Sequence, residues 1–371
     1  MSSKISDKFT VSPIHLFFLM YVCIVDVNFL NFQRKVVREA GQDAWVAAII
    51  VWLCSHILVW MMFKILSNQN PKRADFVSIN LTYFGKFIGA CINHLIILYF
   101  VLGALVAYRS YLESILVLLF PTMNLWPISI VFLVLFYYAV SGGFQTVAGI
   151  CFWAFLVVII IFPPLLLSAI PNLHPQNILP FFNHTPMQIL KSSHQFAFSF
   201  LGAEVLLGIY PYIQTQAKAQ KWAHIAIATS GLFFLVALIM SLMYFPQSQL
   251  FRIMWPTLKG IGIIELPLLQ RVEYLVLSIW VIKTLASVSV GLWIACHSLK
   301  TSWRTKPSNN LIMILILFVL FQLFINDPEK LTIVKMIHAN VGFYFAYIYI
   351  PIMFVITMVS KKFSKGLHHR S

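Results

Sequence analysis

Runs of about 20 or more predominantly apolar residues recur from one end of this chain to the other, and a run of that length is what a helix needs to cross a bilayer. This pattern leaves few choices. In hydrocarbon every backbone N–H and C=O must be satisfied internally, so the chain must fold as a helical bundle or a closed barrel. Barrel strands alternate apolar and polar residues over about ten positions, whereas these runs are long and unbroken. The expected class is an all-α polytopic membrane protein. Charged residues make up only 10% of the 371, against roughly 25% in a soluble domain. No hydrophilic block is long enough to fold alone, so a single transmembrane domain is expected over 1–371.

Ten spans are expected. The first five are Ser12–Phe32, Trp45–Leu66, Phe84–Phe120, Pro127–Val140 and Phe144–Ile170. The second five are Lys191–Thr215, Ala223–Phe245, Leu266–Leu299, Leu311–Ile325 and His338–Ser360. The third is too long for one straight crossing. Basic residues such as Lys64, Lys72, Arg73, Lys218, Lys221, Lys300, Arg304, Lys306 and the tail at 361–371 outnumber those on the opposite face, which include Arg34, Lys35, Arg38 and Arg252. Short basic loops stay on the cytoplasmic side, which places both termini in the cytoplasm. The two longer outer segments, Pro171–Thr185 and Pro246–Leu266, then form either a partial lid or plain connections.

The net charge of +15 is explained by these loops, and nucleic acid is not an expected partner. Cys23, Cys54, Cys91, Cys151 and Cys296 all lie in apolar runs without metal-ligand spacing and read as small buried hydrophobes. His56, His94, His194 and His297 are scattered and read as packing residues. No phosphate-binding loop, zinc motif or nucleophile elbow occurs, so neither an enzyme nor a cofactor is expected.

Polar residues inside the spans carry the functional information. The sixth run, KSSHQFAFSFLGAEVLLGIYPYIQT, holds Gly202 and Glu204 near its middle and Pro211 soon after. A charge at that depth costs about 3 kcal/mol or more unless paired or wetted. A glycine two residues earlier lets the backbone leave helical geometry. The first run holds Asp26 and Asn28 in the same position of the other five-span half, with Val25 beside them. Interrupted helices in corresponding places of two halves point to a central site. The halves are 1–170 and 191–360, inverted because each has an odd number of spans. Lys283, deep in the eighth run, is expected to pair with Glu204 or Asp26, and Tyr99 and Phe200 are expected near the break. Arg109 and Glu113, four residues apart, read as a self-neutralising pair at the interface.

Four segments resemble a known family: VSPIHLFFL from Val11, EAGQDAW over Glu39–Trp45, FGKFIG over Phe84–Gly89, and FLGAEVLL with the following Tyr-Pro over Phe200–Pro211. A weaker echo is RVEYLVLSIW from Arg271. The chain is similar over nearly its whole length to the B subunit of GerA-type spore germinant receptors, within the amino acid–polyamine–organocation transporter superfamily. This resemblance implies a LeuT-like fold with the first and sixth helices broken. It implies a nutrient sensor for amino acids or sugars in the spore inner membrane, working beside an A subunit and a lipoprotein C subunit. Gly202 and Glu204 match the family's Gly-x-Glu in the sixth helix. The superfamily usually has small residues at the first break, where this chain has Val25, Asp26, Val27 and Asn28. That departure leaves open a direct contact of Asp26 with an amine or cation. The alternatives are a secondary transporter for amino acids or amines, coupled to protons, and an assembly subunit without ligand.

Overall fold

The computed structural model describes residues 9–71, 74–263, 271–325 and 327–368, with side chains as far as Lys361. The start of the eighth run at Leu266, and Lys72 and Arg73, lie outside the described residues. The described chain is almost wholly helical, with one isolated parallel bridge between Val11 and Ile213. Among the described residues seven helices are long and apolar enough to cross a membrane, and two shorter apolar helices, Pro13–Ile24 and Leu125–Ser141, accompany them.

The first run is broken. Helix α1 spans Pro13–Ile24, with proline at its first position where the missing N–H costs nothing. After Val25 and Asp26 a 3-10 turn covers Val27–Leu30, and α2 follows over Phe32–Ala40. The first span therefore runs on past Phe32, and Arg34, Lys35 and Arg38 belong to a helix, not a loop. In α2 the buried positions Phe32, Gln33, Val36, Val37 and Ala40 fall on one stripe while the three basic residues face outward, the i, i+4 pattern of a half-buried helix.

Helix α3 spans Ala44–Ser67. Helix α4, Phe76–Leu118, begins eight residues before the expected Phe84 and kinks at Gly85, whose φ of 74° suits only glycine. The Asp75 carboxylate caps it by accepting from the Ser78 amide at 2.7 Å. Helices α5 (Leu125–Ser141) and α6 (Phe144–Ala169) form an antiparallel pair across the Gly142–Gly143 turn. The sixth run is also broken. It begins in α7 (Pro186–Ser199), which starts five residues before the expected Lys191, and continues through a 3-10 turn at Ala203–Val205, the single turn α8 (Leu206–Ile209) and a second 3-10 turn at Tyr210–Tyr212.

Helix α9 covers Gln216–Tyr244, and the connection beyond it carries two short helices, α10 (Gln247–Leu250) and α11 (Pro256–Ile261). Helices α12 (Val272–Trp303) and α13 (Pro307–Phe324) follow. The last span, expected from His338, starts at Pro328: α14 (Pro328–Tyr344) passes through a π turn at Phe345–Tyr349 into α15 (Ile350–His368). At the centre α1 packs against α9, α6 and α12, and α12 lies along α4.

The AGQD stretch turns out to be a clamp. Both Asp43 oxygens accept backbone N–H groups, from Phe182 at 2.6 Å, Asn183 at 2.8 Å and His184 at 3.1 Å. Gly41 makes the clamp possible: a Cβ there would lie 2.5 Å from the His184 ring. The Pro171–Thr185 connection is thus held against the start of α3. Arg109 and Glu113 each take a direct partner other than the other. Arg109 donates to the Ile325 carbonyl at 3.2 Å, and Glu113 pairs with Lys335 at 2.6 Å, because α14 brings an outside cation closer than the residue one turn away.

His94 accepts from the Trp303 indole and His297 lies on Trp293, as packing residues do. His56 differs, meeting His224 of α9 with their Nδ1 atoms 3.0 Å apart. All five cysteines are free.

Candidate functional site

The two breaks face each other, and one glycine accounts for their closeness. Gly202 has φ 129°, a conformation L side chains rarely adopt. A Cβ on it would lie 2.5 Å from the Cys23 carbonyl carbon and 2.7 Å from the Ile24 nitrogen. The end of α1 therefore packs backbone to backbone against the sixth-run break. The first break needs no glycine: Val25 (φ −85°, ψ 73°) and Asp26 (φ −101°, ψ −164°) have backbone angles at negative φ.

Glu204 is 4% exposed and both its oxygens are occupied. Oε1 accepts from the Tyr99 hydroxyl on α4, and Oε2 accepts from the Gly202 amide at 2.8 Å. A buried carboxylate without such donors would cost several kcal/mol. Asp26 accepts from the Ser287 hydroxyl on α12 at 3.0 Å. The Tyr99 ring stacks on His338 of α14, centroids 4.9 Å apart and planes within 8°. His338 fits there because Gly103 carries no side chain; a Cβ would lie 2.7 Å from the His338 Nε2.

These groups line a cavity of about 90 Å³, room for about three waters at their volume in the liquid. Asp26, Asn28, Tyr99, Gly202 and Glu204 all line it, together with Cys23, Ser287 and His338. Its polar walls are two carboxylates, hydroxyls, an imidazole and a carboxamide, and among the described residues no Lys or Arg lines it. Such a lining accepts hydrogen bonds from an ammonium or from hydroxyls, and offers a ligand carboxylate no side-chain cation.

Three expected residues stand apart from the cavity. Val25 is fully buried, its amide bonded to Tyr21 O at 2.9 Å. Phe200 stacks on Phe196 and meets Phe234 edge-on, both at 5.5–5.6 Å, as part of the aromatic core. Lys283, 1% exposed, pairs with neither acid directly. Its ammonium donates to the Val22 carbonyl at 3.2 Å and lies 5.3 Å and 5.6 Å from the Tyr21 and Trp280 rings. Asp26 still attracts it electrostatically. The buried ammonium ties α12 to α1, with aromatic faces taking part of the role of water.

A family model for spore germination proteins matches residues 10–331. The chain belongs to this family. It is similar to the spore germination protein GerQB of Bacillus cereus, 30% identical over 357 residues, which is 95% of this chain and 97% of that protein. Among solved structures it resembles MhsT in complex with L-phenylalanine, with TM-score 0.61, 14% identity and coverage of 96% of this chain and 89% of that one. It also resembles Mhp1, a nucleobase-cation-symport-1 family transporter in a closed conformation with bromovinylhydantoin bound, with TM-score 0.62, 12% identity and coverage of 92% and 78%. The fold is the LeuT-like one, with the first and sixth helices broken, in a multi-pass membrane protein.

Proposed function

We propose that this chain is a nutrient-sensing subunit of the spore membrane. A small solute, an amino acid or a sugar, enters the cavity between the two breaks, and its occupancy triggers germination through partner subunits. The supporting observation is the meeting of two interrupted helices at a cavity lined by Asp26 and Glu204. The partners are an A subunit and a lipoprotein C subunit. The chain forms one transmembrane unit of two inverted halves, 1–170 and 191–360, with both termini and the basic tail at 361–371 in the cytoplasm. A solute shifts a receptor only if it binds one conformation better than another. The breaks supply that difference, because α1 and the 203–212 segment contribute separate walls of one cavity.

The ligand-binding residues in this reading are Asp26, Asn28, Tyr99, Gly202 and Glu204, with His338 and Ser287 added. Val25, Phe200 and Lys283 support them from behind. The test is Glu204→Gln in spores. Germination should need at least tenfold more nutrient while the protein level in the membrane stays normal. An unchanged nutrient response at normal level would remove the site.

The structural likeness to two ligand-bound proteins, one a transporter, favours a second reading, in which the same cavity moves an amino acid or amine across the membrane with protons. Accumulation of labelled amino acid by proteoliposomes containing this chain alone would select it over a sensor without turnover.

A further inference from the structure

The central cavity has carboxylates where a bound acid would need donors. Backbone N–H groups freed at a helix break are suited to an anion. At the sixth break the chain supplies the anion itself, because the Gly202 amide donates to Glu204 Oε2 at 2.8 Å. The Tyr99 hydroxyl donates to Oε1 of the same carboxylate. At the first break the Ser287 hydroxyl donates to Asp26 Oδ1 at 3.0 Å. These donors at the two breaks are therefore turned toward the chain's own acids. Lys283 does not offset them at the cavity wall: its ammonium donates to the Val22 carbonyl, and the residue is not part of the lining.

A different set of polar groups is left open. The Asn28 carboxamide and the His338 imidazole line the cavity and make no hydrogen bond among the described residues. Both are half-buried, so neither is sealed off. Among the described residues Ser287 is the one side chain that donates to Asp26. An ionised carboxylate only accepts, at about four lone-pair positions, so Asp26 can take further donors.

We propose, resting on the reading of this cavity as the nutrient site, that its ligand carries no carboxylate. It is a small solute with hydroxyl or ammonium donors, a sugar, a polyol or a simple amine. Its donors go to Asp26, and Asn28 and His338 exchange hydrogen bonds with its neighbouring polar groups. A ligand carboxylate would face Asp26 and Glu204 across a space of about 90 Å³, with no cation among the described lining residues. A fixed like charge is a device of specificity in its own right. Amino acids, which bring a carboxylate, are the class this lining turns away.

The test titrates the purified full chain in phosphatidylcholine nanodiscs by ligand-detected NMR. It uses three matched pairs in which a carboxylate replaces a hydroxymethyl group: alanine and alaninol, lactate and propane-1,2-diol, glucuronate and glucose. In every pair that binds, the alcohol should bind at least tenfold more tightly than the acid. Tighter binding of alaninol than of propane-1,2-diol assigns an amine as the natural donor, and the reverse assigns a hydroxyl. Asp26→Asn keeps the shape of a half-buried side chain and removes its charge. It should cut the preference for the alcohol at least fivefold, and Glu204→Gln should cut it as well. A folding defect weakens both members of a pair alike and does not mimic this change. Acids that bind as tightly as their alcohols, or a preference undiminished in both variants, would overturn the inference and leave the cavity a solute site. Binding of none of these solutes would remove the site itself, and the inference with it.

Discussion

The first and sixth spans are both interrupted halfway, by different means. At the sixth, Gly202 adopts φ 129°, closed to other residues without strain. At the first, Val25 and Asp26 depart from the helix at negative φ, where side chains are tolerated. The sixth break is written into its own backbone. The first is held from outside: the Cys23–Ile24 backbone rests on the face that Gly202 leaves bare, and Ser287 on α12 takes the Asp26 carboxylate. One glycine thus serves two breaks, and a valine-rich first break is compatible with a broken helix.

If this comparison holds, substitutions at the two breaks should differ sharply in effect. Gly202→Ala should be the most damaging. It imposes backbone strain of about 1–3 kcal/mol and a collision with the Cys23 carbonyl carbon at 2.5 Å. Its thermal midpoint in detergent should fall and nutrient response in spores should be lost; a wild-type midpoint would show that the first helix does not lean on Gly202. Tyr99→Phe comes next. It strips one donor from the buried Glu204, worth about 1–3 kcal/mol, and should shift the nutrient dose–response about tenfold. Ser287→Ala should have the smallest effect. Asp26 is more exposed than Glu204, and losing one hydroxyl donor costs about 1 kcal/mol, a shift of roughly fivefold. A larger shift for Ser287→Ala than for Tyr99→Phe would reverse the ranking of the two acids.

Much of this was legible in the sequence because it was local. An acid beside a glycine in an apolar run is conspicuous wherever it occurs, and Asp26 and Asn28 stood out for the same reason. His338 and Ser287 did not, since their roles arise from α14 and α12 packing against α4 and α1, contacts of high sequence separation. Lys283 was recognised as buried, but its partner was a backbone carbonyl, which no charge pattern reveals. The i, i+4 spacing of Arg109 and Glu113 misleads for a related reason, because spacing along one helix says nothing of a closer cation on another. Gly103 could have signalled a close approach, but not by which ring.

Cys23 offers the most direct test of the central claim, that a nutrient occupies the space between the breaks. Cys23 lines the cavity with Asp26 and Glu204. In a chain whose other four cysteines are replaced by alanine, the rate at which a small thiol reagent modifies Cys23 can be followed by mass spectrometry. The nutrient that triggers germination should slow this modification at least tenfold, and Glu204→Gln should abolish the protection. An unchanged rate at saturating nutrient would place the ligand elsewhere and contradict the account.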